Sequence, residues 1–437
     1  AALGFVGFSP QHLSNTLWSA ATLQLHLTPA QAASLLTVTE HSISSSTGQG
    51  LANMLWACVQ LGIAPPTSWL ARLYAQAPST ILGAGPQALS NMLWALAVLR
   101  DRCGSSWLAP PTPWLRMLLA DAQPVMAAGS PQAQANTVWA VAQLGCVPPV
   151  SWLRATCATT LPALARMEPQ QLSSTVWGML QLATGQGSVQ VGLPIMSSPQ
   201  PAVSTVSGRW LEQAAAAAAS ALPHLNEQGL ANTSLGLAQL GWKPGAGWAS
   251  QWLAVMEARR PALGLHALSS CIAAASTWVL QSAGQQQPLQ DLASWLDAAC
   301  MQLAADVQQW AAAPERQPAK QLQPAHLFVA LRALSSAPLG EWQAAGCGPG
   351  VSWLVGEVSD LLQRPTAAHL LSPGERAAVC WVLARLQHQP GGEWLAAVML
   401  PALRSQQQLS GKEAAMLWQA ADAWGLDRQA ATILVSS

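Results

Sequence analysis

One stretch recurs along the chain and constrains its fold more than any other feature. It is PQHLSNTLWSAATL at 10–23, GQGLANMLWACVQLG at 48–62 and PQALSNMLWALAVL from residue 86. It returns as PQAQANTVWAVAQLG at 131–145, PQQLSSTVWGMLQL at 169–182 and EQGLANTSLGLAQLG at 227–241. The steps between Trp18, Trp56, Trp94, Trp139 and Trp177 are 38, 38, 45 and 38 residues; the step to the equivalent Leu235 is 58, and 38 more reach Ala273. A fixed period of this length marks a repeat architecture. Later copies decay, yet the segments around Trp381 and Trp418 keep the phase at 37 residues, and HLFVALRAL at 326–334 is a degenerate copy.

Each unit carries a second signature, PPTSWLARL around Trp69, PTPWLRML around Trp114 and PPVSWLRA around Trp152, with looser versions at Trp252, Trp295, Trp353 and Trp394. A proline just ahead of WL suits the first helical position, where a missing N–H costs nothing. Each unit is therefore two helices. One pair per 38 residues cannot bury its own apolar face, whereas stacked neighbours build a continuous core. The expected fold is all-α, an α-solenoid of roughly nine to ten helix pairs without a sheet. Well-matched repeats occupy 1–183 and diverged repeats 209–437. The extra residues before Leu235 fall in a Gly/Pro/Ser-rich insertion, 184–208, which is expected to be a flexible loop without regular helix.

On a helical wheel starting at the motif Gln, the apolar positions span a broad arc from about 120° to 280°, so the motif helix is flanked on both sides. The remaining arc is a stripe of Gln, Asn, a small residue and often a second Gln. In the well-matched units its amides are Gln49, Asn53 and Gln60; Gln87 and Asn91; Gln132, Asn136 and Gln143; Gln170 and Gln181. The motif Trp borders this stripe. Two readings stand. In one, the stripe lines a concave surface where amides meet base edges and the small residue leaves room for a flat ring. In the other, the amides ladder between neighbouring helices, the small residue permits close packing and the Trp residues fill the core. Arg72, Arg116 and Arg154 follow WL by two or three residues, at similar helix positions in successive units, as a phosphate track or as solvated surface.

Composition narrows the chemistry. Only 9% of residues are charged against 51% hydrophobic, so most of the chain is packed. Nineteen basic residues cancel nineteen acidic ones, so no global field draws it to nucleic acid or an anionic membrane. Only three of the basic residues are lysine. Eight cysteines lie scattered without metal-ligand spacing and are expected to be reduced, buried thiols. No apolar run is long enough to span a membrane. GQGSVQVG at 185–192 lacks the spacing and Lys of a phosphate loop, and neither HExxH nor GxSxG occurs. We therefore expect no enzyme activity, no cofactor, no metal, no membrane partner and no small-molecule substrate. The chain opens AALGFVGF without a basic n-region, so a targeting peptide is expected to have been removed or to lie outside the sequence.

The PQxLxNTLWAxAxLG motif followed by PPxxWLxxL at this period closely resembles the octotricopeptide repeat proteins, organellar helical-repeat RNA binders abundant in green algae. Residues 10–182 carry the resemblance, which weakens beyond about 255. It implies an RNA-binding protein of a mitochondrion or chloroplast, holding or reading single-stranded RNA or an rRNA fragment among other proteins of a ribonucleoprotein. Such a protein acts in an organellar ribosome or in mRNA stability, translation or processing. A protein-interaction scaffold without RNA contact is the alternative.

Overall fold

The computed structural model describes residues 7–103, 107–185, 203–281, 288–312, 324–364 and 371–426. Among them there is no strand. The chain divides into two compact units between Ala221 and Leu222.

Unit 1 holds α1 (Pro10–Thr22), α2 (Pro29–Ser42), α3 (Gly48–Leu61), α4 (Thr67–Tyr74), α5 (Pro78–Leu82), α6 (Pro86–Cys103) and α7 (Thr112–Ala120). It continues with α8 (Ala122–Ala127), α9 (Pro131–Gln143), α10 (Val150–Thr160), α11 (Pro169–Thr184) and α12 (Gly208–Ala221). The motif helices α1, α3, α6, α9 and α11 pack side by side as a first layer, and α2, α4, α7, α10 and α12 form a second. The motif's opening residues are a start signal. Ser9, Thr47 and Ser130 accept a hydrogen bond from the backbone N–H three residues on, and Pro10, Pro86, Pro131 and Pro169 open helices where no N–H is needed. Gly62, at φ 69°, and Gly185, at φ 68°, end α3 and α11 in the left-handed region that glycine adopts without a Cβ penalty.

The WL tryptophans explain why the chain uses indole so often. Trp69, Trp114, Trp152 and Trp210 are buried, and each donates its one N–H back to the preceding pair. The acceptors are Thr39 Oγ1 at 3.2 Å, the Gln76 carbonyl at 3.0 Å, the Leu119 carbonyl at 3.1 Å and Thr160 Oγ1 at 2.9 Å. A large apolar plate with a single donor fills the space between pairs and satisfies one buried acceptor there.

Trp210 also shows where α12 belongs. Helix α12 packs against α11 and the 3₁₀ turn Leu161–Arg166, so it is the second helix of the fifth pair and 209–221 belongs with unit 1. The insertion lies inside a pair rather than between domains. Of 184–208, residues 186–202 lie outside the described residues; of the remainder, Thr184 ends α11, Val203–Thr205 is a 3₁₀ turn and Gly208 opens α12.

In unit 2 the first layer is α13 (Glu227–Gln239), α15 (Leu265–Gln281) and α17 (Pro324–Leu334), backed by α14 (Ala246–Arg259), α16 (Pro288–Ala312), α18 (Leu339–Ala344) and α19 (Gly348–Gln363). Helix α20 (Pro373–Arg385), a helical stretch over 392–404 and α21 (Gly411–Ala423) follow. Trp242, Trp248, Trp278, Trp252 and Trp295 form a chain of edge-to-face rings, with successive centroids 4.8, 5.3, 5.4 and 4.8 Å apart. With five pairs in unit 1 and four pairs plus α21 in unit 2, the described residues form an α-solenoid of the expected size.

Candidate nucleic-acid interface

In unit 1 the first-layer helices α3, α6 and α9 touch a first-layer neighbour on each flank, and α1 and α11 on one. The face left over is the amide stripe. Gln49, Gln60, Gln87, Gln132 and Gln170 are exposed, and Asn53, Asn91, Asn136, Gln143 and Gln181 are half-buried. The Gln49 amide donates to Asn53 Oδ1 at 2.9 Å and the Gln87 amide to Asn91 Oδ1 at 2.8 Å, each within one helix. The rungs therefore run along helices and not across them, save for Gln143, whose amide reaches Gln181 Oε1 at 3.5 Å from α9 to α11. An amide that donates one of its two N–H groups to a neighbouring Asn keeps a second donor, and each Asn keeps its own NH₂, for a ligand.

The small residue after the motif Trp serves packing. Ala57, Ala95, Ala140 and Gly178 are buried, and a Cβ on Gly178 would lie 3.0 Å from Val138 Cγ1, 3.1 Å from the Val138 carbonyl and 3.2 Å from Trp139 Cα. At Gly178 the neighbouring motif helix fills the space beside the small residue, which leaves no room for a flat ring. The motif tryptophans are not core filler. Trp56, Trp94, Trp139 and Trp177 are half-buried and Trp18 is 45% exposed, so each shows part of an indole beside the amides.

Charge is missing from this face. Helices α1, α3, α9 and α11 contain no Asp, Glu, Lys or Arg, and α6 carries Arg100, Asp101 and Arg102 only in its last turns. Both arginines are engaged. Arg100 donates to the Gln143 carbonyl at the end of α9, and Arg102 to the Val59 carbonyl near the end of α3. A guanidinium at a helix C-terminus satisfies free carbonyls and opposes the negative end of the dipole. These two staples were not among the sequence candidates.

The three arginines after WL stand elsewhere. Arg72, Arg116 and Arg154 are exposed on α4, α7 and α10, in the second layer, so the structure does not bring them to the amide stripe. Arg72 Nε lies 3.2 Å from Glu40 Oε1, whose other oxygen accepts from Ser68. Arg116 and Arg154 form no ion pair among the described residues. The cysteines are not poised for chemistry. Burial pushes the thiols of Cys58, Cys271 and Cys347 up to about 12 and raises Cys300 and Cys380 as well. Among the described residues no group of three His, Cys, Asp or Glu could hold a metal ion, and no helix is long and apolar enough to cross a membrane.

No family model and no curated protein matches this chain. Among solved structures it is similar to a chain described as a homology model of the full-length AP-3 complex in an intermediate open conformation. That likeness is 11% identical, covers 98% of this chain and 86% of the other, and has a TM-score of 0.35. It is also similar to a circular tandem repeat protein with novel repeat topology and enhanced subunit contact surfaces, 11% identical over 98% and 97% of the two chains, with a TM-score of 0.28. The fold assignment rests on the helices of the chain itself.

Proposed function

We propose that this helical-repeat protein binds RNA on the first-layer face of unit 1, inside a larger ribonucleoprotein. One observation carries the reading. A solvent-facing row of Gln and Asn, bordered by part-exposed indole, advances by one set per helix pair and contains no charge. Side-chain amides pair with base edges in two directions, and unstacked bases lie on aromatic planes, so single-stranded RNA is the nucleic acid such a row suits. The same features oppose phosphate-led binding, because an uncharged face releases few counterions. RNA held there is recognised through its bases, while other components of the assembly neutralise its backbone. The resemblance to octotricopeptide repeats supports the same reading and adds an organellar setting, without enzyme activity of the chain's own.

The test is ultraviolet crosslinking of the full chain to a random-sequence RNA pool, with the crosslinked residues mapped by mass spectrometry. Crosslinks on Trp56, Trp94, Trp139 or Trp177 are expected. Crosslinks confined to second-layer helices would overturn the placement, and none at all the function.

A further inference from the structure

The second layer of unit 1 presents a surface that the RNA reading leaves unused. Met117 on α7 is 60% exposed, and Val147 and Val150, before and at the start of α10, are 64% and 42% exposed. They lie together. Trp152 Nε1 donates to the Leu119 carbonyl, which brings the start of α10 to the end of α7. Arg116 sits close enough to Cys146, the residue before Val147, for its guanidinium to counter the upward push of burial on that thiol. Arg154 follows Val150 by one helical turn on the same exposed face.

Comparison among the repeats indicates that the fold does not require these groups. The three signatures align as APPTSW at 64–69, APPTPW at 109–114 and VPPVSW at 147–152. Val147 and Val150 thus stand where both siblings have Ala and Thr. Met117, three residues after its Trp, stands where α4 has Arg72. Charge differs in the same place. The Arg72 guanidinium is taken by Glu40, whereas Arg116 and Arg154 form no ion pair among the described residues; α7, α8, α10 and the loop before α10 contain no acid, and Asp121 stands between α7 and α8.

We propose that α7, α10 and the loop before α10 form a docking surface for an acidic amphipathic segment of a partner protein. Met117, Val147 and Val150 seat its apolar side, and Arg116 and Arg154 receive its carboxylates. Apolar anchors ringed by cations give both the desolvated centre and the charge complementarity of a protein interface. RNA would use the arginines but gain nothing from exposed valines. The surface does not depend on the amide row, so the two readings stand or fall separately.

The experiment uses the full chain and three fluorescent probes: a Glu/Leu amphipathic peptide, the same peptide with Lys for Glu, and a single-stranded oligoribonucleotide. Two variants are compared with the parent, V147A/V150T, which restores the sibling residues, and R116Q/R154Q; thermal melting confirms that both fold. The acidic peptide is expected to bind, the basic one not, and each variant to weaken acidic-peptide binding by about tenfold, or about 1.4 kcal/mol, leaving oligoribonucleotide affinity unchanged. Failure of the acidic peptide to bind, or equal affinity in parent and both variants, overturns the proposal. So does R116Q/R154Q weakening the oligoribonucleotide while V147A/V150T changes nothing, the signature of a phosphate track.

Discussion

Unit 1 and unit 2 solve one packing problem differently. In unit 1 each WL tryptophan is tied by a hydrogen bond to the preceding pair, and of these rings Trp114 meets another aromatic, Tyr74, at 5.4 Å. In unit 2 five tryptophans gather into one chain of rings, in which Trp252 donates to Ser234 Oγ and Trp278 to the Trp242 carbonyl. Net charge differs too. Unit 1 has seven arginines and five acids, a net +2, with no lysine, whereas unit 2 carries net −2. The amide row holds through α11 and again at α13, where Gln228 donates to Asn232 at 2.7 Å. One step later the positions are His266 and a buried Ser270, and at α20 and α21 a Trp381 indole donates to Gln419 instead. On the proposed reading, identical spacing is kept where RNA meets a periodic surface, and side chains regroup where only packing matters.

The largest effect that bears on this comparison concerns the indoles. Trp152→Ala and Trp252→Ala should each cost about 3–5 kcal/mol of stability in denaturant unfolding. Pairs separate the two units: Trp252→Ala with Trp278→Ala should be coupled by about 0.5–1.5 kcal/mol, and Trp69→Ala with Trp152→Ala should add. Additivity in the first pair would dissolve the distinction.

Alkali gives the next contrast. A thiol pushed up by burial holds its proton more tightly in the folded state. The stability it contributes is full below its ordinary value of 9.0 and is lost as pH rises towards the folded value, about 12 for Cys58, Cys271 and Cys347. Each such thiol removes about 1.4 kcal/mol per pH unit in that window. Unit 2 has four fully buried cysteines, Cys271, Cys300, Cys347 and Cys380, and unit 1 has Cys58 alone at 0% exposure. Iodoacetamide should therefore label the unit 2 thiols at a lower pH than Cys58, with half-buried Cys103 and Cys146 labelled before either. Labelling of Cys58 first would reverse the order of stabilities. A smaller effect sharpens the regularity of unit 1. Gly178→Val should cost about 1–3 kcal/mol in melting experiments, because two of the three atoms a Cβ meets are α9 backbone. A neutral outcome would show that α9 and α11 can separate.

The repeat was legible because its period, prolines and N-caps are local signals, and a pair that cannot bury its own face dictates stacking. The insertion's place inside the fifth pair had a signal that spacing alone passes over: Trp210 and Leu211 are a WL pair in which Val206 and Ser207 stand where the Trp69, Trp114 and Trp152 signatures have the two prolines. The wheel located the exposed amides because their exposure follows from helical phase alone. It could not say that the small residues are consumed by helix contact, since Ala95 and Gly178 lie at the stripe's edge, where the interaxial distance decides. Nor could it separate the arginines from the amides. Arg116 and Asn91 sit on helices of one pair, and only the layering shows that those helices expose different faces. Arg100 and Arg102 were missed because their carbonyl partners lie 43 residues away on neighbouring units.

The central claim is that the amide row serves a ligand and not the fold. Asn53, Asn91 and Asn136 should be replaced together by Ala in the full chain, and both the melting temperature and the preference among RNA sequences measured. Asn53 and Asn91 each accept one within-helix amide bond at a half-buried surface, an interaction worth about 0.2–0.5 kcal/mol. The account predicts a small fall in melting temperature and a shift in RNA preference of about 1–3 kcal/mol per base contact. A large loss of stability with RNA preference unchanged would contradict it.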